Sequence, residues 1–278
     1  MGSPLYSQND GSTGDGSNVG AVGAPAGFHW GNHSICTEGE AVGSFYGYKT
    51  DGIIMNESQL NEYLGRVKLS EGEAHVGDFM YKDINGDKVL DQNDMTILGN
   101  GIPKFNYGIT IGASYKNWDF NIYGYGVLGQ DILSYSAMRL STVFSADDQT
   151  FPNILKSSYD KIAHVENGVV TNANATLPRL MMVDKALNMR CSDAWVKNGN
   201  FFRMSNIQVG YTFPKNWISP LGLQAARLSF AVQNLFTASP YKKYGDPEVG
   251  QGSVLFSGLD TGRFPMPRTY QFGVNVTF

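Results

Sequence analysis

Hydrophobic and polar residues alternate with a period of two along five segments of the chain. In the segment 105–115, the odd-numbered positions are apolar or aromatic, whereas the even-numbered positions hold only Asn, Gly, Thr and Ser. A similar period runs through the segments 118–128, 201–213, 226–233 and 268–278. Because successive side chains of a strand point to opposite faces, each segment predicts a β-strand with one apolar and one polar face.

The rest of the chain carries weaker signals. Residues 1–42 are rich in Gly, Ser and Asn without a sustained period, which predicts a loop. Residues 43–54 predict a short strand, and residues 56–70 predict one or two helical turns, followed by a polar loop to about residue 104. The chain therefore divides into a loop segment, 1–42, and a β-rich region, 43–278.

Two fold classes produce strands with one apolar and one polar face. In a soluble sandwich the apolar face lies in the core, and in a membrane barrel it contacts lipid. Most of the predicted strands run for about ten residues, which suits a tilted strand that crosses a membrane better than an average globular strand. Their apolar positions are almost free of charge, with Arg203 at a strand end as the exception. Both observations favour the barrel.

The connections between the predicted strands alternate in length, as in outer-membrane barrels with short periplasmic turns and long outer loops. The connections 116–117 and 214–223 are short, whereas 129–200 and 237–267 are long. We interpret the aromatic residues beside the short connections and at the chain end as a girdle at one membrane interface; the β-propensity of aromatic residues is the alternative explanation. These residues are Tyr115, Trp118, Phe213, Trp217 and Phe278.

Composition excludes several classes of protein. Charged residues make up 17% of the chain, against roughly 25% in an average soluble domain, while aromatic residues make up 13%. The formal net charge is −4 and the basic residues form no stripe, which argues against nucleic acid as a partner. No apolar run approaches the roughly 18 residues of a transmembrane helix. The sequence contains no catalytic constellation, so we predict that the protein is not an enzyme and requires no cofactor.

Six stretches of sequence, spread in order over about residues 40–278, carry a family resemblance. They are GSFYGYKTDGI (43–53), GDFMYKDINGDKVLDQNDMTILGNGIPKFNYGI (77–109), NGNFFRMSNIQVGYTFP (198–214), QNLF (233–236), YGDPEV (244–249) and FPMPRTYQFGVNVTF (264–278). In these stretches the chain resembles the C-terminal part of the SusC/RagA family of TonB-linked outer-membrane transporters.

The resemblance implies an all-β fold: about six antiparallel strands at the C-terminal end of a transmembrane barrel of about 22 strands, with a plugged lumen and long extracellular loops. It implies a protein of the bacterial outer membrane that imports oligosaccharides or peptides, driven by TonB, and pairs with a SusD-like surface lipoprotein. Phe278, which ends an alternating strand, resembles the signal by which the barrel-assembly machinery recognises its substrates.

The resemblance does not extend to the plug or to the segment that contacts TonB in family members. An open sheet in hydrocarbon leaves edge groups unpaired, at a cost of several kcal/mol each. We therefore expect residues 1–278 alone to form no stable pore, and to be a truncated gene product or a fragment that is inactive in isolation.

The segment 83–94 matches the ligand spacing of a calcium-binding loop. Lys88 replaces the glycine preferred at the sixth position, and the twelfth position is an Asp, shorter than the usual Glu. The alternative is an acidic surface turn whose side chains bond their own backbone. The candidate ligands are the side chains of Asp83, Asn85, Asp87, Asp91 and Asp94 and the carbonyl oxygen of Val89.

Two further patterns have stronger structural explanations than chemical ones. Gly124, Gly126 and Gly129 match a dinucleotide-binding fingerprint, but the strand before them carries polar residues that a buried parallel strand would lack. A second set, His29, His33 and Cys36, contains metal-ligand types, but its glycine-rich surroundings favour loop histidines.

The long connections contain aromatic residues that could contact a substrate or the lid lipoprotein. We single out Trp195, Tyr241 and Tyr244 as candidates, and packing of the loops against each other is the alternative explanation. The alternative to the transporter as a whole is a soluble, secreted β-sandwich that binds carbohydrate and is stabilised by calcium.

Overall fold

The computed structural model describes residues 21–23, 32–141, 159–181, 184–249 and 256–278. The chain divides into two compact units. The first, which we call the mixed unit, comprises residues 1–101, 131–197 and 249–262. The second, the sheet unit, comprises residues 102–130, 198–248 and 263–278. Each unit is therefore built from segments that are far apart in sequence.

Strands dominate the described residues. In chain order they are β1 (Ala21–Gly23), β2 (Asn32–Ile35), β3 (Ser44–Gly47), β4 (Thr50–Ile53), β5 (Lys68–Leu69), β6 (Phe79–Tyr81), β7 (Val89–Leu90), β8 (Thr96–Asn100), β9 (Phe105–Tyr115), β10 (Trp118–Leu128), β11 (Asp131–Ser134), β12 (Val165–Glu166), β13 (Val169–Val170), β14 (Val196–Asn198), β15 (Phe201–Thr212), β16 (Ala225–Ala238), β17 (Leu259–Asp260) and β18 (Thr269–Thr277).

The helices of the described residues are short. They are α1 (Glu57–Arg66), α2 (Tyr135–Ser141) and α3 (Lys215–Ile218), with 3₁₀ turns at Gln92–Asp94, Tyr159–Lys161, Asp193–Trp195, Ser219–Leu221 and Pro240–Lys243. None of the helices in the described ranges has the length and hydrophobicity that a membrane crossing requires.

The sheet unit is a five-stranded antiparallel sheet in the order β18-β16-β15-β10-β9. Strands β9 and β10 have the predicted bounds, and β15 and β18 end within one residue of theirs. Strand β16 continues beyond its predicted end at residue 233. Asn234 has a positive φ of 53° beside a register shift, and this bulge interrupts the alternation on which the prediction depended.

The two-residue turn between β9 and β10 is bonded to the end of a third strand. Lys116 adopts a φ of 54°, in the left-handed region that tight hairpin turns use. The side-chain amide of Asn117 donates to the carbonyl of Thr212 at 2.6 Å, and the N–H of Thr212 donates to the carbonyl of Asn117 at 2.9 Å. Strands β9, β10 and β15 therefore meet at the side of the short connections.

Strands β9 and β18 are the edges of this sheet, and within the described ranges neither has a partner on its outer side. The predicted number was about six strands, and the sheet holds five. It has the form of one sector of a barrel wall, whose edge groups need further strands before the sheet can lie in hydrocarbon.

Segments predicted as loops build much of the mixed unit. The N–H of Tyr48 donates to the carbonyl of Cys191 at 2.9 Å, and both the N–H and the hydroxyl of Thr50 donate to Asp193. The end of the long connection 129–200 is therefore joined to β3 and β4 by backbone and side-chain bonds, and shares one hydrophobic core with them.

The weaker local predictions have mixed outcomes. The helical turns predicted within 56–70 are confirmed by α1, whose first turn is capped by the side chain of Asn56 accepting from the N–H of Gln59 at 2.9 Å. The loop predicted for 1–42 is wrong where β1 and β2 lie, and the polar loop predicted up to residue 104 is wrong where β6, β7 and β8 lie.

Substitution of two glycines of the sheet by alanine should have opposite effects on stability. A Cβ atom on Gly126 would overlap the backbone carbonyl oxygen of Phe201 and lie 2.6 Å from the hydroxyl oxygen of Tyr107, whereas one on Gly112 would have nothing within 4 Å. We expect Gly126→Ala to lower the free energy of unfolding by about 1–3 kcal/mol, and Gly112→Ala to leave it unchanged or raise it slightly. Thermal unfolding in detergent measures both, and equal melting temperatures would contradict the packing at Gly126.

Candidate functional site

The register places the apolar residues of all five long strands on one face of the sheet. Directly paired residues in antiparallel strands share a face, so rows of partners can be followed across the sheet. The rows are Tyr115–Trp118–Tyr211–Leu228–Val274, Ala113–Phe120–Val209–Phe230–Phe272 and Ile111–Ile122–Ile207–Val232–Tyr270.

Most of this apolar face is exposed, with the small side chain of Val232 in the central part of the sheet as a buried exception. The exposed fractions of Phe272, Val274 and Ile111 are 82%, 68% and 56%. In a soluble sandwich these side chains would be buried beneath a second sheet, whereas most of the apolar side chains of this face are partly or largely exposed. An exposed apolar face of this kind agrees with the lipid-facing side predicted for the strands of a membrane barrel.

The opposite, polar face carries very little charge. The five strands contain only three charged residues, Asp119, Arg203 and Arg227. Most other positions on this face are Gly, Ala, Ser, Thr, Asn or Gln. Each of the three charges has a partner of opposite sign within the sheet unit.

The first ion pair crosses the polar face diagonally. Arg227 on β16 donates to Asp119 on β10 at 2.6 Å, over the intervening strand β15. Gly210 makes this crossing possible, because a Cβ atom there would lie 2.5 Å from both charged side chains. More than a third of each charged side chain is exposed, so the pair contributes less than about 1 kcal/mol to stability.

Arg203 lies on the polar face, although its position in the sequence alternation predicted the apolar face. In the ladder between β10 and β15, the paired residues of β15 step from Asn206 to Met204, which leaves Ser205 as an extra residue. A bulge of one residue exchanges the faces of the residues beyond it. Arg203 therefore pairs with Tyr125 and shares the polar face with it.

Arg203 is the centre of a buried charged cluster. Only 2% of its side chain is exposed, and its guanidinium contacts a carboxylate oxygen of Asp246 at 2.5 Å and one of Glu248 at 3.3 Å. The hydroxyl of Tyr125 donates to the other oxygen of Glu248 at 2.7 Å. Both carboxylates belong to YGDPEV (244–249), one of the six stretches that carry the family resemblance. They could not be identified as a site from the sequence, because their spacing matches no known motif.

Asp246 also joins the two ends of the long connection between β16 and β18. Its carboxylate accepts from the N–H of Glu248 at 3.0 Å and from that of Met266 at 3.1 Å, and Arg263 donates to the carbonyl of Glu248 at 3.0 Å. Burial alone would raise the pKa of Asp246, but the two amide donors and the Arg203 guanidinium together hold the pKa below its ordinary value. The carboxylate therefore stays ionised at neutral pH.

The candidate calcium loop bonds its oxygens to its own backbone. Asp83 accepts from the N–H groups of Gly86 and Lys88 at 2.6 and 2.8 Å, and Asp94 accepts from those of Ile84 and Asp91 at 2.8 and 2.9 Å. These hydrogen bonds are the ones expected if residues 83–94 form an acidic surface turn rather than a calcium site. Lys88 nevertheless adopts a φ of 66°, the conformation for which calcium loops favour glycine at this position.

Calcium binding by residues 83–94 stays a prediction. The described residues contain no group of three or more His, Cys, Asp or Glu side chains placed to hold a metal ion. Binding would require the carboxylates to turn away from the amides they now accept from. Titration calorimetry with millimolar calcium should give heat that Asp83→Asn with Asp87→Asn abolishes, and an absence of heat from the unmodified protein would contradict the prediction.

The aromatic candidates for substrate or lid contact are largely internal. Trp195 is 1% exposed and packs edge-on against Phe79, with ring centroids 6.0 Å apart. Tyr241 is fully buried, and Tyr244, which is partly exposed, lies 5.5 Å from it. The expectation of exposed rings is therefore wrong for Trp195 and Tyr241, because both side chains are buried. Contact of Tyr244 with a ligand stays a prediction.

A second charged cluster, which sequence analysis missed, holds the mixed unit together. Asp78 is fully buried and accepts from Arg179 at 2.9 Å, from Asn188 at 3.0 Å and from the N–H of His75 at 2.9 Å. Asn188 in turn accepts from the N–H of Phe79 at 2.9 Å. The cluster joins segments more than 100 residues apart, and it has a structural role.

The remaining sequence patterns have structural explanations. Gly124 and Gly126 lie within strand β10 rather than at the start of a helix, so the dinucleotide interpretation is wrong. His29 lies outside the described residues, and His33 is buried with its ring stacked on Phe256. Phe278 follows β18 on the side of the short connections and is 82% exposed, and its role in assembly stays a prediction.

The chain is similar to known proteins over most of its length. No protein-family model matches the chain. It is 30% identical to the TonB-dependent receptor P3 of Formosa agariphila over 270 residues, 95% of this chain and 25% of that receptor. It is 27% identical to the TonB-dependent receptor SusC of Bacteroides thetaiotaomicron over 203 residues, 72% of this chain and 17% of SusC.

The chain is therefore similar, over most of its length, to a part of TonB-dependent receptors, SusC among them. A solved structure of the RagAB peptide transporter matches it with a TM-score of 0.57 at 17% sequence identity, over 84% of this chain and 23% of that one. This similarity confirms the predicted fold class, a segment of a large barrel. The chain spans about a quarter of the length of receptor P3 and of the matching RagAB chain.

The two ion pairs of the sheet unit should differ sharply in their contribution to stability. We expect Arg203→Gln to lower the free energy of unfolding by about 3–5 kcal/mol, because it leaves the buried carboxylate of Asp246 without its cation. The matched control Arg227→Gln breaks a pair that is more than a third exposed and should cost less than about 1 kcal/mol. Chemical denaturation of the receptor in detergent measures both variants, and equal losses would contradict the burial of Arg203.

Proposed function

We propose that this chain forms part of the wall and outer loops of a TonB-dependent transporter in the bacterial outer membrane, which imports oligosaccharides or peptides. The observation that carries the proposal is the five-stranded sheet with a largely exposed apolar face and an almost neutral polar face. A membrane barrel provides lipid for the first and an aqueous lumen for the second.

Similarity to named receptors supports the coupling to TonB and the surface partner. P3 and SusC are both named TonB-dependent receptors, and the RagAB structures are described as a peptide importer. By analogy with these proteins, we propose a SusD-like surface lipoprotein as the partner of the outer loops. The buried cluster around Arg203 would then fix the base of one such loop relative to the barrel wall.

The alternative function, a soluble carbohydrate-binding sandwich, lacks such support. It needs a protein cover for the apolar rows, whereas most of their side chains are exposed. A transporter needs no protein over the apolar rows, because the hydrocarbon of the membrane contacts them instead.

Cell fractionation and uptake measurements test this proposal. The product of the native gene should be recovered in the outer-membrane fraction and resist extraction by high salt. Uptake of its nutrient should be lost when TonB is deleted and when the gene for the neighbouring lipoprotein is deleted. Recovery in the soluble fraction without detergent, or uptake that is independent of TonB, would contradict the proposal.

A further inference from the structure

Side chains on the polar face of the sheet become buried toward the end that carries the long connections. On β10, Tyr123 is 40% exposed, whereas Val127, four residues further along the same face, is 9% exposed. On β15, Phe201 pairs with Val127 and is 5% exposed. Protein therefore covers this end of the polar face, although the face would meet only water in an open lumen.

The cover lies on the polar side of the sheet only. Leu128 follows Val127 in the sequence and points to the opposite face. Leu128 and its partner on β9, Phe105, are 46% and 59% exposed. If this end of the sheet lay inside a protein core, both faces would be buried. The burial is one-sided, as expected for a segment that folds into the lumen.

The connection that leaves β16 provides part of this cover. The carboxylates of Asp246 and Glu248 both contact the guanidinium of Arg203, and Glu248 also accepts from the hydroxyl of Tyr125 at 2.7 Å. Arg203 and Tyr125 are paired residues of β15 and β10 on the polar face. The connection therefore folds back across the polar face of two neighbouring strands instead of extending away from the end of the sheet.

The returning part of the same connection is joined at this place. The N–H of Met266 donates to Asp246 at 3.1 Å, and Arg263 donates to the carbonyl of Glu248 at 3.0 Å. We call residues 244–248 and 263–266 the inward limbs. The guanidinium of Arg203 holds the first limb directly and the second through Asp246.

The pair that holds the inward limbs is shielded from water. The side chains of Arg203 and Asp246 are 2% and 7% exposed. Salt screens a buried pair much less than an exposed one, and hydrogen bonds between charged groups are roughly twice as strong as neutral ones. Loss of the guanidinium would leave the carboxylate of Asp246 buried without a cation. We therefore expect the limbs to move away from the wall, so that water can reach this carboxylate.

We propose that the inward limbs form a constriction at the outer mouth of the lumen, which Arg203 holds against the wall and which limits the size of molecules that enter along this part of it. The inference rests on the proposed function, because only in a transport barrel is the polar face a passage from outside the cell. Arg203 and Asp246 are positioning residues, since they act through the limbs and need not touch the cargo.

A cysteine beyond the constriction, treated with reagents of two sizes, tests the proposal. Asn206 lies on the polar face, three residues beyond Arg203 and further from the long connections. In cells that produce the native protein with Asn206→Cys and no other accessible cysteine, N-ethylmaleimide should label position 206 readily. A maleimide carried on a long polyethylene glycol chain should label it slowly. Adding Arg203→Gln should raise the ratio of the large reagent's rate to the small reagent's rate about tenfold, because labelling of a covered site is limited by the opening that exposes it.

Two further variants control for the loss of a charge and for folding. Arg227→Gln removes a guanidinium from the same face, at the side of the short connections, and should leave the ratio of rates unchanged. Glu248→Ala removes one carboxylate, while Asp246 still neutralises Arg203. We expect this variant to fold even if Arg203→Gln does not, and to raise the ratio about threefold, because one of the two carboxylates that join the limb to the wall is lost.

The outcomes separate the constriction from the function on which it rests. Glu166→Cys, at an exposed position of the long connection 129–200, should react with the large reagent in intact cells. If it does not react, the cell-surface position of this loop is contradicted, and the proposed function with it. If it reacts, equal rates of the two reagents at position 206 in the unmodified background would overturn the constriction alone, as would a ratio that neither Arg203→Gln nor Glu248→Ala raises. An absence of labelling at position 206 in every background would assign the cover to another part of the protein and also overturn it.

Discussion

The apolar face of the five-stranded sheet depends on an apolar solvent. Its rows of apolar residues run unbroken across five strands, and most of their side chains are exposed. Soluble monomers rarely expose contiguous apolar patches of this kind to water. Contact with hydrocarbon removes this cost. It also requires that every strand edge be paired, which is why lipid-facing sheets belong to closed barrels.

The same constraint explains how charge is placed on the other face. A barrel wall can carry polar groups toward its lumen, but an ion removed from water there needs a partner. Arg227 remains partly hydrated, so its stability depends little on the ion pair with Asp119. Arg203 is almost completely buried and is held by two carboxylates from a loop, so the loop and the wall are stabilised together. The polar face of the sheet is therefore nearly neutral, and many of its hydrogen-bonding groups are the side-chain amides of Asn and Gln.

Local pattern was sufficient to predict the strands but not the position of every side chain. The bounds of β9 and β10 could be predicted from alternation alone, because one face of each strand is apolar and the other is polar along its whole length. Arg203 was assigned to the apolar face because Ser205 fits either face, and the bulge it forms is set by pairing with β10 and β16. The contacts of Asp78 with Arg179 and Asn188 span 101 and 110 residues. No local spacing rule can find them, and the burial of Trp195 likewise depends on segments remote in sequence.

If lipid meets the apolar face of the sheet and water meets the polar face, adjacent residues of β15 should differ in their accessibility to apolar and polar reagents. Spin labels at Val209, Ile109 and Val274 in the membrane-embedded receptor should be relaxed by oxygen dissolved in lipid and protected from a water-soluble nickel chelate. A label at Gln208, one residue from Val209 and on the opposite face, should show the reverse preference. Labels at Val209 and Val274 that are immobile and inaccessible to both reagents would show a protein interior at this face and contradict the account.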